Sequence, residues 1–244
     1  PTMNIVTTPE SVLGIALDAM SRTPDERLRT VMASLTRHLH AFVLDVKLTE
    51  EEFERALQFI VQIGQATNAA KNEVVLAADL LGVSTLVALL NNQDPQGESP
   101  AALLGPFWRA NAPHCGDGES IARSDTPGMP LTVRGVVRDA QGRPLAGATV
   151  DAWQASPVGL YENQDPQQCD MNLRGRFRTD SEGRFCFRTV RPAGYPVPVD
   201  GPCGELLSAQ QRHPNRPAHI HFMVSQPGHK VLISQVFADD DANL

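Results

Sequence analysis

The sequence predicts an α+β protein in which a helical N-terminal region is followed by an all-β sandwich. Up to about residue 92, apolar residues recur at three- and four-residue steps, which is typical of amphipathic helices. After residue 130 they alternate with polar residues, which is typical of half-buried strands. Residues 91–100 (NNQDPQGESP) contain few apolar side chains and predict a linker or a long surface connection. We therefore predict a helical domain over residues 1–95 and a β-sandwich domain over residues 96–244.

Start signals mark three helices of the N-terminal region. Thr8 precedes Pro9, and the runs 23–26 (TPDE) and 49–52 (TEEE) both have the spacing of a capping box. The helical spacing continues at Phe53, Leu57, Ile60, Val61, Gly64, Leu76, Leu80 and Val83. These apolar stripes indicate that the helices pack against partners.

Six short segments of the second region have the composition and two-residue period of strands. They are LTVRGVVRD (131–139), GATVDAWQA (147–155), RGRFRTD (174–180), RFCFRTV (184–190), AHIHFMV (218–224) and KVLISQVF (230–237). Gly142 and Pro144 supply turn chemistry between the first two, which predicts a hairpin there. No helical period of apolar residues is evident among the strands.

Composition excludes several classes of function. The formal net charge is -7 and no run of Lys or Arg occurs, so we expect no nucleic-acid partner. The apolar stretches are too short for a bilayer span and the start lacks the pattern of a secretory leader, so we expect a cytoplasmic protein without a membrane partner. The four cysteines, Cys115, Cys169, Cys186 and Cys203, lack metal-site spacing and are expected to be free thiols.

The segment RPAHIHF (216–222) places two histidines on one face of a predicted strand. Because strand side chains alternate, His219 and His221 share one face while Ile220 and Phe222 line the other. Such a pair either binds a metal ion or consists of core histidines that hydrogen-bond to backbone carbonyls. The spacing alone leaves both interpretations open.

Tyrosine usage favours an oxidised metal. The chain has only two tyrosines, Tyr161 and Tyr195, and both lie in predicted loops. A loop tyrosine is usually a surface anchor, but a trivalent cation favours the phenolate and makes tyrosine a ligand. Two phenolates and two imidazoles suit Fe(III), whereas zinc more commonly binds Cys, His or carboxylates.

Four segments together resemble the intradiol ring-cleavage dioxygenases, in particular the catechol and hydroxyquinol 1,2-dioxygenase branch. They are LLGPFW (103–108), DAWQASPVGLYENQD (151–165), residues 173–207 (from LRGRF to GELL) and RHPNRPAHIHF (212–222). The resemblance runs from about residue 50 to the end of the sequence, with both tyrosines, Arg216 and the two histidines in family order. The sequence stops at FADDDANL, before a further strand region that family members contain.

The resemblance implies one Fe(III) per subunit, held by Tyr161, Tyr195, His219 and His221, with Tyr195 leaving the metal when substrate binds. It implies that a small aromatic diol or triol is cleaved with O2 between adjacent hydroxylated carbons. It also implies a homodimer formed through the helical N-terminal domain, with a phospholipid bound at the dimer interface.

Further residues match functional positions of the family. Arg216 would stabilise charge that develops on the substrate, or else form a structural salt bridge. Gln235 matches a position near the reacting oxygens, although it would also suit an ordinary strand. The remaining matches either line the aromatic substrate pocket or pack in the core; they are Leu76, Leu103, Gly105, Pro106, Phe107 and Val197.

The choice of substrate depends on Asp79. LLGPFW and RHPNRPAH resemble hydroxyquinol enzymes more than catechol or chlorocatechol enzymes, and Asp79 lies one helical turn after Leu76. The resemblance to hydroxyquinol enzymes, which carry an acid at the matching pocket position, implies that Asp79 accepts a hydrogen bond from the third ring hydroxyl; the alternative is a helical aspartate that faces solvent. We therefore predict cleavage of hydroxyquinol (1,2,4-trihydroxybenzene) to 3-hydroxy-cis,cis-muconate, equivalent to maleylacetate. The alternatives are a catechol or chlorocatechol 1,2-dioxygenase giving cis,cis-muconates, a prealbumin-like binding sandwich without catalysis, and a zinc-dependent hydrolase.

Overall fold

The computed structural model describes residues 6, 8–68, 71–92, 99–123 and 125–244. The chain divides into two compact units, Pro1–Ile60 and Val61–Leu244. The division falls inside a helix, and the domain boundary at residue 95 stays a prediction. Within the predicted linker, residues 93–98 lie outside the described part of the chain.

The first unit contains helices α1 (Pro9–Met20) and α2 (Glu26–Val46) and most of α3 (Glu50–Ala66). The predicted start at Pro9 is confirmed. The capping box of α3 is also confirmed, because Thr49 N donates to Glu52 Oε2 at 2.9 Å and Glu52 N donates to Thr49 Oγ1 at 3.3 Å. Helix α2 differs from the prediction: its cap is Asp25, whose carboxylate accepts a hydrogen bond from Leu28 N at 2.7 Å. An aspartate directly before the first turn satisfies the free amides and favours the helix dipole.

The second unit combines short helices with three antiparallel sheets. Helices α4 (Glu73–Leu80) and α5 (Val83–Asn91) precede the strands, and α6 (Pro202–Ala209) lies among them. The strands are β1 (Pro130–Val136), β2 (Thr149–Gln154), β3 (Arg174–Arg178), β4 (Arg184–Val190), β5 (Tyr195–Pro196), β6 (Asn215–Arg216), β7 (His219–Ser225) and β8 (Leu232–Phe237). The sheets have the orders β3-β2-β7-β8, β1-β4 and β5-β6. The predicted fold class, N-terminal helices followed by a β sandwich, is confirmed.

The two larger sheets enclose an apolar core. Phe187 of β4 is fully buried and stacks on Phe177 of β3 with ring centroids 5.0 Å apart. The cluster also contains Ile121, Val150, Ala152, Ile220 and Phe222. Ile220 and Phe222 therefore face the core, as the alternation along β7 predicts, and the two histidines between and beside them face the other way.

Two sequence interpretations of this unit are wrong. The chain does reverse at Asp139–Arg143, where Asp139 N donates to Arg143 O at 2.9 Å, but β1 pairs with β4 whereas β2 pairs with β3 and β7. The predicted hairpin is thus a connection between two sheets. Helix α6 was not expected among the strands; it has eight residues and begins at Pro202, directly after a glycine.

Within the described residues, no single helix is long and apolar enough to cross a membrane; α4 and α5 meet the criteria only as a pair bent by 78°. All four cysteines are free, as predicted.

Candidate active site

The outer face of β7 supplies two buried imidazoles. His219 and His221 are 1% and 2% exposed, and the pairing register places Trp153 of β2 opposite His221. The indole of Trp153 stacks on the His221 ring with centroids 4.8 Å apart and planes inclined by 6°. His219 is fixed from its other side, because its Nδ1 donates to Pro217 O at 2.7 Å. Both rings are thus held in one orientation, His221 by the indole of β2 and His219 by the backbone just before β7.

The two tyrosines approach the same face from different segments. Tyr161 follows β2 in a loop and stacks on Phe107 with centroids 4.5 Å apart. Tyr195 was expected in a loop but begins β5, where it pairs with Arg216 of β6. Gly159 has a positive φ of 82°, and a Cβ there would lie 2.9 Å from Tyr195 Cβ, so a glycine is required where these segments meet. Both phenols are buried.

The four side chains bring two oxygens and two nitrogens to one point. Tyr161 Oη lies 3.3 Å from Tyr195 Oη, which lies 3.5 Å from His219 Nε2, which lies 3.1 Å from His221 Nε2. Because His219 Nδ1 carries the donated proton, its Nε2 presents a lone pair to the other imidazole. His221 Nδ1 is buried and has no hydrogen-bond partner in the described part of the chain. Converging lone pairs in a dry site are the arrangement that a bound cation stabilises, so these residues fit a metal ion.

Burial controls the protonation of these groups. Burial and the nearby Arg216 charge lower the pKa of His219 to about 4. Burial, then His219, lowers the pKa of His221 well below its ordinary value. Both imidazoles are therefore neutral at pH 7, which is the form that binds metals. Burial, then the neighbouring Tyr195, raises the pKa of Tyr161 well above its usual range, so its phenolate needs a cation beside it.

Hydrogen bonds connect Arg216 and Gln235, the two polar residues predicted for this site, to Tyr195. Arg216 Nη1 donates to Tyr195 Oη at 3.2 Å, and its Nη2 donates to Gln235 Oε1 at 2.9 Å. Gln235 Nε2 in turn donates to Leu103 O at 3.0 Å. Arg216 forms no ion pair within 4.0 Å in the described residues, so the structural salt bridge considered for it is not observed.

A cavity of about 610 Å³ opens beside Tyr195. It is lined by Arg216 and by all seven residues predicted to bind substrate: Leu76, Asp79, Leu103, Gly105, Pro106, Phe107 and Val197. Gly105 has a positive φ of 75°, and a Cβ there would lie 3.3 Å from His221 Cε1, so this wall passes close to the imidazoles. The geometry brings every predicted site residue to one region, while the roles assigned to them stay predictions.

Asp79 lies on the wall of this cavity and is half-buried. Burial raises the pKa of its carboxyl group, opposed by a hydrogen bond with Ser84 and by the charge of Arg216. Its Oδ1 has no hydrogen-bond partner among the described residues. Asp79 therefore contributes a carboxylate to the cavity lining, and one of its oxygens is buried without a partner in the part of the chain that the structure describes.

Sequence reasoning missed a buried ion pair behind Tyr161. Arg174 Nε donates to both carboxylate oxygens of Glu162 at 2.8 Å, and both side chains are about 1% exposed. The guanidinium carbon of Arg174 lies 5.8 Å from the centre of the Tyr161 ring. Arg109 also donates to Glu162, at 2.6 Å. The sequence does show an acidic residue, Glu162, directly after Tyr161. Its partner Arg174 lies twelve residues later in β3, so the sequence alone does not reveal that the two residues pair.

No three His, Cys, Asp or Glu side chains come together in a way that could hold a metal ion in the described ranges. Any metal at the point described above therefore depends on the two phenols. This donor set does not favour the zinc hydrolase considered from the sequence.

Known proteins share both the sequence and the fold. Residues 103–244 match a family model described as "Dioxygenase", and residues 25–99 match one described as "Catechol dioxygenase N terminus". A hydroxyquinol 1,2-dioxygenase of Rhizobium sp. is 44% identical over 218 residues, which cover 89% of this chain and 74% of the relative. A catechol 1,2-dioxygenase of Candida albicans is 42% identical over 214 residues, 86% of this chain and 71% of the relative. The solved structure of hydroxyquinol 1,2-dioxygenase from Pseudomonas putida superposes with a TM-score of 0.89 and 41% identity, covering 96% of this chain and 82% of that one.

Proposed function

The chain belongs to the intradiol ring-cleavage dioxygenases, a family of non-haem iron enzymes, and from this premise we propose that it cleaves the ring of hydroxyquinol with O2. The bond broken lies between the two adjacent hydroxylated carbons, and the product is 3-hydroxy-cis,cis-muconate, equivalent to maleylacetate. One observation carries the choice of substrate: Asp79, a half-buried carboxylate, is among the residues that line the cavity at Tyr195.

Fe(III) is the ion that the donor set suits best. Tyr161, Tyr195, His219 and His221 would hold it, since phenolates prefer a hard, oxidised cation and the imidazoles are already neutral. The chemistry that bound Fe(III) supplies is withdrawal of electron density from the two adjacent substrate oxygens, which makes the ring reactive towards O2. The protein supplies a site that excludes water and holds the rings in one orientation.

Tyr195 is the tyrosine that can respond to substrate. Among the four donor residues, it alone lines the cavity as well. Substrate in the cavity would lie beside Tyr195, and the Tyr195 phenolate that the metal would hold can take up a proton from a substrate hydroxyl and become a neutral phenol. The Tyr161 ring stacks on Phe107 and lies beside Arg174. Its proposed role is therefore that of a metal ligand that stays in place when substrate binds.

Arg216 acts on the charge that the reaction develops. Its guanidinium spans the gap between Tyr195 Oη and Gln235 Oε1, so its plane is fixed by two acceptors. When Tyr195 moves to make room for substrate, one N–H group is released towards the cavity. A fixed cation there stabilises negative charge on the substrate in a site of low polarity.

Asp79 selects the triol. A half-buried carboxylate in the cavity lining can accept a hydrogen bond from a third ring hydroxyl, and catechol has no such hydroxyl. Leu76, Val197 and Phe107 form apolar cavity walls that suit an aromatic ring.

Oxygen uptake tests the function directly. The purified protein is analysed for iron and for visible absorption, and O2 consumption is then measured with hydroxyquinol and with catechol. We expect about one iron per chain, a reddish colour from tyrosinate-to-Fe(III) charge transfer, and turnover of hydroxyquinol that is lost on chelation and restored by iron but not by zinc. A colourless protein that binds hydroxyquinol without consuming O2 would instead be a binding sandwich. Efficient turnover that favours catechol would contradict the substrate and leave the reaction intact.

Helix α2 supports a homodimer. Its apolar side chains recur at helical spacing along one stripe and are exposed in the first unit; they are Leu28, Val31, Met32, Leu35, Leu39, Phe42, Val43 and Val46. A contiguous stripe of exposed apolar side chains is typical of a surface that binds another protein. A second copy would cover it, and a phospholipid could bind between such apolar surfaces. Organic extraction followed by mass spectrometry tests for the lipid. The cytoplasmic location of the protein stays a prediction.

A further inference from the structure

Glu73 is a fully buried carboxylate at the first turn of α4, outside the group of donor residues. Its Oε2 accepts a hydrogen bond from Cys203 N at 3.2 Å, at the start of α6. In the opposite direction, Cys203 Sγ donates to Glu73 O at 3.4 Å. Burial raises the pKa of Cys203 to about 12, so the thiol keeps the proton that it donates. The first turns of α4 and α6 are therefore joined by a reciprocal pair of hydrogen bonds.

A lysine and a glycine complete this junction. Lys71 Nζ lies 3.4 Å from Glu73 Oε1 and 2.7 Å from Asp200 Oδ1, so it bridges α4 to the segment before α6. A Cβ on Gly201 would lie 2.4 Å from Glu73 Oε1, which means that the carboxylate fills the space that any other residue would need. A buried carboxylate is costly unless it is paired, and here the lysine and the amino end of α6 compensate for it.

The other end of α4 is fixed to the same segment of chain. Arg212, just after α6, donates from Nη1 to Leu80 O at 3.1 Å. Leu80 is the last residue of α4, and its carbonyl lacks a partner within the helix. Helix α4 is thus attached at both ends to residues 200–212. These contacts fix the position of the helix relative to the cavity.

This attachment matters because α4 and residues 200–212 both contribute to the lining of the cavity. Asp79 and Leu76 come from α4, while Leu207 and Arg212 come from residues 200–212. We propose that Glu73 is a positioning residue that sets substrate preference by holding Asp79 at the distance at which a third ring hydroxyl can reach it. This inference rests on the proposed function. Glu73 is itself among the residues that line the cavity, but its carboxylate is fully buried against Cys203 and Lys71, so its effect on substrate passes through Asp79.

Two substitutions perturb the junction from opposite sides. Glu73→Gln removes the charge that Lys71 and α6 stabilise, and Gly201→Ala inserts a methyl group against the carboxylate. We expect each to raise KM for hydroxyquinol about tenfold with kcat within about twofold, because a shift of α4 weakens a contact that substrate makes before reaction. KM for catechol should stay within about twofold, since catechol does not use Asp79.

Asp139→Asn is the matched control. Asp139 is also a buried carboxylate that ties a turn, accepting hydrogen bonds from Gln141 N and Arg143 N at 2.9 Å. It lies outside the substrate cavity. Its substitution should lower the melting temperature, as we also expect for Glu73→Gln, and leave the ratio of kcat/KM for hydroxyquinol and catechol unchanged. A change of this ratio in both variants would show that any loss of stability produces the effect, and would overturn the positioning role.

A double-mutant cycle tests whether Glu73 acts through Asp79. In the Asp79→Ala background, Glu73→Gln should no longer change the ratio of the two kcat/KM values. Independent, multiplicative effects would overturn the proposal. A wild type that prefers hydroxyquinol, with Glu73 and Gly201 variants of unchanged ratio, would overturn the positioning role alone. A wild type without that preference would overturn the proposed substrate and the positioning role with it.

Discussion

Replacing Asp79 with alanine should reduce the preference of the protein for hydroxyquinol over catechol. A hydrogen bond to a charged acceptor contributes roughly 1.5 to 3 kcal/mol, which corresponds to about a tenfold to hundredfold ratio in kcat/KM. The Asp79 carboxyl group already interacts with Ser84 and with the charge of Arg216, which favours the lower part of that range. The wild-type ratio should fall by about tenfold in Asp79→Ala, with kcat/KM for catechol changed by about twofold or less.

The assay is oxygen uptake at several concentrations of each substrate, with iron content measured for every preparation. Asp79→Asn serves as the size-matched control: its amide oxygen still accepts a hydrogen bond, but without charge, so its ratio should lie between those of the wild type and the alanine variant. If Asp79→Ala kept the wild-type ratio with full iron content, Asp79 would not contact the third hydroxyl.

The same carboxylate predicts a pH dependence. Burial raises the pKa of Asp79 above its usual 3.8, so it takes up a proton at a higher pH than an exposed aspartate would. The charged acceptor is present above that pKa and is lost as the pH falls through it. The preference for hydroxyquinol should therefore decline on acidification in the wild type and stay flat in Asp79→Ala, measured as the ratio of kcat/KM values across the acidic range.

Three further predictions concern the metal site and the assembly. Tyr161→Phe and Tyr195→Phe should each change the visible absorption and suppress turnover; an iron-loaded variant with the wild-type spectrum and activity would show that the tyrosine is not a ligand. Folding lowers the pKa of His219 from 6.5 to about 4. Between these two pH values the unfolded chain binds more protons than the folded chain. The free energy of unfolding of the iron-free protein should therefore fall as the pH drops from 6.5 towards 4. Denaturant titrations that give constant stability over that range would contradict this. Phe42→Glu should convert a dimer to a monomer in sedimentation experiments, whereas a monomeric wild type at micromolar concentration would refute the dimer.

Periodicity predicted the elements of the fold better than their pairing. The six predicted strands are present, because two-residue alternation reflects burial of one face and needs no knowledge of the neighbour. The hairpin failed because turn residues such as Gly142 specify only the local reversal. Turn residues do not determine which strand pairs with β2. That depends on where the apolar face of β2 is buried, and Val150 of β2 packs in the core formed by both sheets. Helix α6 was missed because a helix of eight residues, beginning at the proline of a Gly-Pro pair, gives too little periodicity.

Some residues of the candidate site could be placed from the strand pattern alone, and others only from the family resemblance. Alternation along β7 was sufficient to place His219 and His221 on one face, away from the core. The tyrosines could be placed near them only through the family resemblance, since Tyr195 reaches the imidazoles by pairing with Arg216, 21 residues later in the chain. Glu73 gave no functional signal, because an acidic residue in the first turn of a helix has an ordinary local explanation in the helix dipole.

The location of Glu73 suggests why substrate choice and ring-cleavage chemistry can vary separately in this protein. The four metal-binding candidates lie on β5, β7 and the loop after β2, which pairing and ring stacking make rigid. Asp79 lies instead on α4, a helix of eight residues whose position depends on contacts at its two ends. Changes at those ends should therefore move the selecting carboxylate without moving the metal donors. Variants of Glu73 should accordingly keep the iron content and visible spectrum of the wild type while their preference between hydroxyquinol and catechol changes.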